Sequence, residues 1–354
     1  MNKIHNFSAG PCILPQEVLK GASDAVLNFA GTGLSLIEVS HRSKEFVEVM
    51  EEARGLVKEL LNVPDNYSVL FLQGGASLGF LAAAANFSKG GKTGYINTGT
   101  WSSKAIKEAG FYSEPVELAT SKDSSFSYIP KNIDFPSDIE YLHFTSNNTI
   151  FGTQFHSFPQ VDTNLICDMS SDIFSKEINV SDFALIYAGA QKNMGPAGTV
   201  LYIVNNDILA TMKTKIPTYL DFETHIAKDS MFNTPPVFSV YTTMLMLRWI
   251  KGNGGVKEMN KLAKNRSELL YNEIDSNPNF VGHAQEDSRS MMNVTFRLKE
   301  GADQDKFDKM WQEAGISGIK GHRSVGGYRA SMYNALPMES VELLVSIMKD
   351  FSKD

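Results

Sequence analysis

Apolar and polar residues follow two periods along this chain, one typical of helices and one typical of buried strands. Residues 46–60 carry apolar positions at helical spacing, and the pattern stops at Val63-Pro64. Residues 68–73 predict a strand, and residues 79–85 predict a helix that is apolar on every side. Further short apolar runs cover residues 94–97, 141–144, 165–167, 184–187 and 200–204. Helical or loop segments separate many of these runs, which indicates an α/β fold with a mostly parallel sheet.

The strongest break in the pattern is Gly252-Asn253-Gly254-Gly255, where a predicted helix over residues 240–250 ends. We place a domain boundary there, with a large α/β domain over residues 16–252 and a smaller C-terminal α/β domain over residues 253–354. We expect residues 1–15 to pack with the small domain. The predicted elements of the small domain are helices at 256–274, 304–314 and 340–351 and a strand at 292–298.

Composition narrows the class of protein. Of the 354 residues, 42% are hydrophobic and 21% are charged, as in an ordinary soluble globular protein. The net charge of -7 argues against general nucleic-acid binding, so a local cluster of positive charge must meet any anionic ligand. The two cysteines, Cys12 and Cys167, fit a reducing compartment, and the sequence shows neither a signal peptide nor a membrane-spanning run. We therefore expect a cytoplasmic enzyme.

Lys192 lies in the segment YAGAQKNMGPAGTVLYIV, where one apolar run ends and another begins. The small residues around it leave room for a flat ligand to approach the backbone. Burial of an ammonium group is costly and drives lysine toward the neutral amine, which is the form that attacks a carbonyl. Taken alone, the motif also fits a solvated lysine on a glycine-rich hairpin, so its interpretation depends on the rest of the chain.

Asp168 ends the apolar run at residues 165–167 and precedes Lys192 by 24 positions. Ligands of open α/β sheets bind outside the carboxyl ends of the strands, which is where this carboxylate falls. A strand-end aspartate beside a reactive lysine suits pyridoxal phosphate, because it keeps the ring nitrogen protonated and the ring an electron sink. The alternative is a turn former or helix cap, since Met169-Ser170-Ser171-Asp172 follows.

The segment Gln73-Gly-Gly-Ala-Ser-Leu-Gly79 runs from a predicted strand into a predicted helix. Backbone N–H groups at a helix N-terminus form an anion site, and Ser77 adds a hydroxyl donor. The segment does not fit a dinucleotide fingerprint, because no acidic residue lies about 20 positions further on. Residues 88–93 do not form a P-loop, since the first required glycine falls on Asn86. The pattern therefore favours phosphate binding over nucleotide binding.

Positive charge is concentrated in His41-Arg42 and in GHRSVGGYRA, which contains His322, Arg323 and Arg329. The arginine guanidinium is a planar fork of donors that suits carboxylate and phosphate groups. A lone arginine is more often a surface residue, but glycines around Arg323 and Arg329 would let a ligand approach the backbone. We interpret the cluster as a site for a small polyanionic substrate.

Several longer motifs together resemble one enzyme family along essentially the whole chain. They are FSAGPCILP, EVSHRSKEF, FLQGGAS, TGTWSSKAIKEAG, DMSSDIFS, YAGAQKNMGPAG, SMFNTPP and KGHRSVGGYRASMYNALP. These stretches are similar to those of the phosphoserine aminotransferases, which are pyridoxal-phosphate enzymes of class V and fold-type I. The resemblance implies a large domain with a mostly parallel seven-stranded sheet flanked by helices, plus a smaller C-terminal α/β domain. It also implies a homodimer with shared active sites.

The resemblance also implies a role for individual residues. Lys192 would form the covalent link to pyridoxal 5'-phosphate and act as the catalytic residue together with Asp168, which would pair with the ring nitrogen. The implied cofactor-binding residues are Ala76, Ser77, Trp101, Thr149, Asp168, Gln191 and Lys192, with Asn233 and Thr234 of a second subunit. The implied substrate-binding residues are His41, Arg42, Trp101, His322, Arg323 and Arg329. No metal is implied. Some family members carry glycine followed by arginine or cysteine at Ala76-Ser77, so backbone contacts are better supported there than side-chain contacts.

The implied reaction moves the amino group of L-glutamate to 3-phosphohydroxypyruvate and yields L-phosphoserine and 2-oxoglutarate, a step of L-serine biosynthesis. The sequence leaves open the use of a longer phosphorylated keto acid of pyridoxine biosynthesis. Two alternatives stay open as well. A cysteine desulfurase or related lyase of the same fold would need a reactive thiol on a mobile loop. A non-catalytic phosphate- or nucleotide-binding protein built on the same sheet would be colourless.

Overall fold

A seven-stranded sheet forms the centre of the part of the chain that the computed structural model describes, residues 3–212 and 215–353. The helices are α1 (Gln16–Leu27), α2 (Lys44–Leu61), α3 (Gly75–Phe87), α4 (Thr100–Ala109), α5 (Asn206–Thr211), α6 (Phe222–Ile226), α7 (Val237–Gly252), α8 (Gly255–Ser276), α9 (Gln304–Glu313) and α10 (Met338–Phe351). The strands are β1 (His5–Asn6), β2 (Tyr67–Leu72), β3 (Lys92–Asn97), β4 (Glu114–Thr120), β5 (Ile139–Thr145), β6 (Asn147–Asn148), β7 (Thr153–Gln154), β8 (Asn164–Asp168), β9 (Leu185–Gly189), β10 (Val200–Asn205), β11 (Phe280–Gly282), β12 (Asn293–Leu298), β13 (Ile316–Ser317) and β14 (Tyr328–Ser331). Within the described ranges, none of the helices has both the length and the apolar character needed to cross a membrane.

The strand order of the central sheet places the predicted site at one edge. The order is β2-β10-β9-β8-β5-β3-β4, in which β10 is antiparallel to both of its neighbours and the other pairs are parallel. The carboxyl ends of parallel strands meet at the same edge of a sheet, which is the usual ligand site of such folds. Asp168 ends β8, and Lys192 follows β9. The sheet confirms the predicted α/β class.

Helix α2 shows how the sequence sets the ends of an element. The hydroxyl of Ser43 accepts a hydrogen bond from Phe46 N at 3.4 Å, which caps the first turn. Asn62 ends the helix with a left-handed φ of 50°, a conformation that asparagine tolerates. The apolar face of the helix, which includes the buried Val49 and Leu56, packs on α7 and belongs to the largest hydrophobic cluster.

Helix α3 is apolar on every side because the sheet and α4 cover it. Gly79 permits its close approach to β9, since a Cβ at this position would lie 2.7 Å from Tyr187 Cδ2. The helix begins at Gly75, four residues before the predicted start at Gly79. The glycine-rich segment therefore forms the first turn of the helix as well as the loop before it.

The C-terminal part of the chain has a core of its own. Strands β11, β12 and β14 form an antiparallel sheet, and its hydrophobic cluster includes Phe280, Phe307 and Leu344. Phe7 belongs to the same cluster, and β1 pairs in parallel with β13. Val256, at the start of α8, instead packs with the large core. The division between residues 252 and 253 stays a prediction.

Candidate active site

Lys192 lies in the turn between β9 and β10. Its side chain is half-buried, and its Nζ lies 5.3 Å from the centroid of the Trp101 ring. Burial lowers the pKa of the Lys192 amine; the carboxylate of Asp168 opposes this shift, whereas the charge of Arg329 adds to it. The surroundings therefore favour the neutral, nucleophilic amine.

A segment close to the start of the chain packs against the Lys192 turn. A Cβ at Gly10 would lie 3.4 Å from Lys192 Cγ, so the backbone there lines the stem of the lysine. Cys12 N donates to Gln191 O at 3.1 Å, and the Cys12 thiol donates to the backbone carbonyl of Lys192. The turn that carries the lysine is therefore held from outside the central sheet.

Asp168 is buried at the end of β8. Its Oδ1 accepts hydrogen bonds from Ser170 N at 2.9 Å and from Ser170 Oγ at 2.5 Å. Ser170 Oγ in turn accepts from Gly189 N at 3.0 Å, which ties the aspartate to β9. Burial raises the pKa of Asp168, while the charge of Lys192 and the hydrogen bonds from Ser170 oppose the rise. A cationic group placed against this carboxylate would favour its ionised form.

Trp101 lies in the first turn of α4 and provides a flat apolar surface beside Lys192. Its Nε1 donates to Thr149 Oγ1 at 2.9 Å, which fixes the indole. Gly99, the residue before the helix, has φ 144°, and a Cβ there would lie 2.4 Å from Asn148 Nδ2. Only glycine therefore allows α4 to begin so close to the loop that carries Thr149.

The N-terminus of α3 supplies backbone donors at the same edge of the sheet. Gly74 and Gly75 have φ values of 109° and 62°, and no side chain caps the helix. The N–H groups of the first turn, which includes Ala76 and Ser77, have no acceptor within the helix. With the helix macrodipole they are suited to bind an anion.

The remaining predicted phosphate ligands lie on two other segments. Asn233 and Thr234 belong to the loop before α7, where Thr234 O accepts from Gln73 Nε2 of the same chain at 2.7 Å. Gln191 precedes Lys192, and a Cβ on Gly189 would lie 2.7 Å from its Oε1. The role of Asn233 and Thr234 in the site of a second subunit stays a prediction.

Arg329 contacts the loop that carries Thr149. It lies on β14, and its Nη1 donates to Thr149 O at 3.1 Å. Its Nε is buried and has no hydrogen-bond partner among residues 3–212 and 215–353. Burial lowers the pKa of this guanidinium. Thr149 therefore contacts Arg329 through its carbonyl oxygen and the Trp101 indole through its hydroxyl.

His322 and Arg323 lie in the loop before β14 and are exposed. Burial and then the charges of Arg329, Arg323 and Lys104 lower the pKa of His322. Lys104, on α4, places its Nζ 4.8 Å from the centroid of the Trp101 ring. The structure therefore brings these cations into one region around the indole.

His41 and Arg42 lie in a different part of the chain, directly before α2. His41 is 8% exposed, and burial and the charge of Arg42 lower its pKa. Arg42 is exposed. In the part of the chain that the structure describes, neither side chain has a hydrogen bond or ion pair to Lys192, Asp168 or Arg329. Their role in substrate binding stays a prediction.

Sequence reasoning missed Ser170, Lys104 and Asn193. Ser170 was visible only as part of a turn after Asp168. Lys104 follows Trp101 by one helical turn, so helical periodicity could have found it. Asn193 is next to Lys192, but no sequence signal shows that its amide is buried and bonded on both sides.

These groups together fit pyridoxal phosphate. The carboxylate of Asp168 suits the ring nitrogen, Lys192 suits the aldehyde, the Trp101 indole suits the ring face, and the N-terminus of α3 suits the phosphate. The observation that tests the fit is the buried Asp168, since burial of a carboxylate is costly and a cationic ring nitrogen would offset that cost.

Comparisons with known proteins show similarity along almost the whole chain. A model of the family "Aminotransferase class-V" matches residues 4–344. The phosphoserine aminotransferase of Flavobacterium psychrophilum is 57% identical over 350 residues, which is 98% of each chain. That of Parabacteroides distasonis is 52% identical over 353 residues, or 99% of each chain.

Solved structures are similar in fold along the whole chain. A phosphoserine aminotransferase from Bacillus circulans subsp. alkalophilus superposes with a TM-score of 0.95 at 42% identity and covers 99% of each chain. A phosphoserine aminotransferase from Trichomonas vaginalis with bound pyridoxal phosphate has a TM-score of 0.92 at 37% identity, over 98% of this chain and 100% of that one. From the family match and these full-length relatives, we conclude that the chain belongs to the class-V aminotransferases.

Proposed function

We propose that the chain transfers the amino group of L-glutamate to 3-phosphohydroxypyruvate, with pyridoxal 5'-phosphate as cofactor, and yields L-phosphoserine and 2-oxoglutarate for L-serine biosynthesis. The observation that carries the proposal is the half-buried Lys192 beside the buried Asp168 and the Trp101 indole, within reach of a cluster of cations. The names of the full-length relatives support the choice of substrate.

Six residues of the chain would hold the cofactor in addition to Lys192. Asp168 would keep the proton on the ring nitrogen, and Trp101 would hold the ring plane. Thr149, Gln191, Ala76 and Ser77 would bond its oxygen atoms. When bound, pyridoxal phosphate supplies an electron sink for the bond that breaks at the substrate Cα.

Lys192 would act as the proton carrier of the reaction. Burial lowers its pKa and so favours the neutral amine, whose nitrogen can accept a proton from the substrate Cα and return it to the neighbouring carbon. The packing of Gly10 against its stem restricts where Nζ can move.

The cations would bind the two anionic ends of the substrate. Arg329, whose buried Nε lacks a partner in the described part of the chain, suits a carboxylate. The exposed His322 and Arg323 suit the more strongly charged phosphate. His41 and Arg42 would add positive charge to the substrate site. The proposal also includes a location in the cytoplasm and a homodimer with shared active sites, in which Asn233 and Thr234 would reach the cofactor phosphate of the second subunit.

The thiols of Cys12 and Cys167 do not fit a cysteine desulfurase. Burial raises the pKa of the Cys12 thiol to about 12, and this thiol donates to the backbone carbonyl of Lys192. Cys167 is buried within β8, and burial raises its pKa well above the usual value. A nucleophilic cysteine needs the opposite, an exposed thiol of lowered pKa.

The test is a pair of half-reactions on the protein loaded with pyridoxal phosphate. We expect L-glutamate and L-phosphoserine each to bleach the visible absorbance of the bound cofactor, and L-serine to do so far less effectively. Addition of 3-phosphohydroxypyruvate should restore the absorbance. A longer phosphorylated keto acid in a parallel sample would measure the preference for chain length.

Two outcomes would contradict the proposal. A colourless protein that binds phosphate compounds without spectral change would be a binding protein. A response to L-serine equal to that to L-phosphoserine would show that the cations do not select a phosphate group.

A further inference from the structure

Asn193, the residue after Lys192, is 2% exposed and bonds through both ends of its amide. Its Nδ2 donates to Ile173 O at 2.5 Å, and its Oδ1 accepts from Asn334 N at 2.9 Å. The amide therefore bridges two backbone segments that are distant in sequence and holds the Lys192 turn between them.

The segments bridged by Asn193 are those that carry the other central residues of the site. Ile173 lies five residues after Asp168, and Asn334 lies five residues after Arg329. One amide thus joins the turn of the lysine to the loop beyond β8 and to the loop beyond β14.

Further contacts keep this junction rigid. Asn334 is also 2% exposed, and its Nδ2 donates to Phe174 O at 3.0 Å. The guanidinium of Arg266, 1% exposed on α8, donates through Nη1 to Asn334 O at 3.3 Å and to Leu336 O. Every partner in the junction is a backbone carbonyl or N–H, so a shift of Asn334 would move the backbone that leads to Arg329.

The Lys192 turn contains two glycines. Gly195 and Gly198 follow in the same turn, and Gly198 has φ 124°. Glycine leaves the backbone more freedom than any other residue. Within the described ranges, the side chain of Asn193 ties this turn to the surrounding structure together with the contacts of Cys12 with Gln191 and Lys192 and the hydrogen bond that Ser239 Oγ donates to Ala197 O at 2.8 Å.

We propose that Asn193 is a positioning residue, which holds Lys192 in register with the Asp168 loop and with the strand that carries Arg329. The inference rests on the proposed function, because it assigns a purpose to the position of a lysine that carries the cofactor. Asn193 does not touch substrate or cofactor in this assignment and acts only through the backbone of the turn.

The principal variant is Asn193→Ala, which leaves Ile173 O and Asn334 N buried without a partner. Misplacement of a reacting group by about 1 Å can reduce turnover on the order of 10²-fold. We expect turnover at saturating L-glutamate to fall 10- to 100-fold by this principle, while the half-saturating concentration changes little, because the cations are untouched. Asn193→Ser, whose hydroxyl can bond one of the two segments, should give an intermediate loss.

A second readout does not depend on turnover. The protein loaded with pyridoxal phosphate is treated with borohydride, and the fraction of chains that carry the reduced cofactor on Lys192 is measured by peptide mass. We expect complete labelling in the unaltered chain and a reduced fraction in Asn193→Ala, because the amine is no longer held in one position.

Asn277→Ala is the matched control. Asn277 is buried between α8 and α10, where its Nδ2 donates to Glu273 Oε1 at 2.7 Å and to Met348 O at 3.1 Å. Its Oδ1 also accepts from Asn279 N at 3.1 Å and from Ser352 Oγ at 2.7 Å, so its loss should lower the thermal unfolding temperature at least as much as Asn193→Ala but leave turnover and labelling unchanged.

The results separate the inference from the proposed function. If Asn193→Ala loses thermal stability like the control and keeps turnover and labelling, Asn193 is only a structural residue and the inference is wrong. If the unaltered chain carries no label on Lys192, the proposed function fails before the inference is tested. If Asn193→Ala does not fold, full turnover and labelling in Asn193→Ser would still overturn the inference.

Discussion

At the scale of single residues, the site depends on groups whose charge the surroundings disfavour. Burial pushes both Lys192 and Asp168 toward their neutral forms, while the charge of each opposes the shift of the other. A bound cationic ring nitrogen would change this balance in favour of the Asp168 carboxylate. The pair therefore links the ionisation of the lysine to occupancy of the site.

Ser170 gives the first prediction. Ser170→Ala removes one hydrogen bond to Asp168 Oδ1 and leaves Gly189 N buried without its acceptor, at a cost of about 1–3 kcal/mol in the free energy of unfolding. We expect weaker binding of pyridoxal phosphate as well, measured by fluorescence titration of the apoprotein. Ser175→Ala, which removes a buried hydroxyl bonded to Asp172 O, is the control and should leave cofactor affinity unchanged. Equal affinities in all three proteins would disprove the role of Ser170.

His143 gives the second prediction. It is buried with Nε2 2.7 Å from Tyr187 Oη, and burial lowers its pKa from 6.5 to about 3. Between these values the unfolded chain binds a proton that the folded chain does not, so stability falls as the pH falls below 6.5. From pH 7 to pH 5 the loss at this residue is about 2 kcal/mol.

Chemical denaturation at pH 7 and pH 5 measures this loss. The unaltered chain should lose about 2 kcal/mol more than His143→Gln over this interval, since glutamine does not titrate. An equal loss in both proteins would mean that His143 accepts its proton in the folded state near the usual pH.

At the scale of elements, the effect of a glycine on stability depends on the space around its Cα. A Cβ on Gly79 in α3 would lie 2.7 Å from Tyr187 Cδ2, whereas a Cβ on Gly55 in α2 would meet nothing within 4 Å. Gly79→Ala should therefore destabilise the protein by about 1–3 kcal/mol through overpacking. Gly55→Ala should stabilise it by up to about 1 kcal/mol, because alanine favours the helix. Thermal unfolding of the two variants checks the difference in sign, and stabilisation by Gly79→Ala would show that α3 can move away from β9.

The elements also show which parts of the fold can be predicted from sequence patterns. Helix α8 and strand β10 were predicted to within about two residues, because their apolar spacing is regular over their whole length. Strand β4 was not predicted: it lies at the edge of the sheet and its residues are exposed or half-buried, so it lacks an apolar run. The reversed direction of β10 arises from its antiparallel pairing with β9 across a short turn and with β2 more than a hundred residues earlier, and the apolar runs alone do not show it.

The site was partly predictable for the same reason. Strand-end position and glycine spacing pointed to Lys192 and Asp168, because those features lie next to the residues in sequence. The junction of Asn193 with Asn334 has a sequence separation of 141 residues. Only the folded chain shows such a contact.

At the scale of the whole molecule, the proposed sharing of sites between subunits makes a prediction for mixed dimers. Lys192→Ala and an Asn233→Ala/Thr234→Ala double variant should each be inactive. After subunit exchange, one site of a hybrid dimer receives its lysine from one chain and intact Asn233 and Thr234 from the other.

Activity should therefore appear on mixing and follow the fraction of hybrid dimers, which native mass spectrometry measures. Unmixed samples of each variant carried through the same exchange procedure are the controls. Confirmed exchange without recovery of activity would place both groups within a single chain, or would remove Asn233 and Thr234 from the phosphate site.

The contact of the N-terminal segment with the site has a consequence for the order of folding. Tyr333 Oη donates to Ala9 O across 324 positions, and Cys12 meets Lys192 across 180. Contacts of such long range require closure of large loops and form slowly. A refolding chain should therefore recover its helices well before it can hold a cofactor, so in a refolding experiment circular dichroism should return early and yellow colour last.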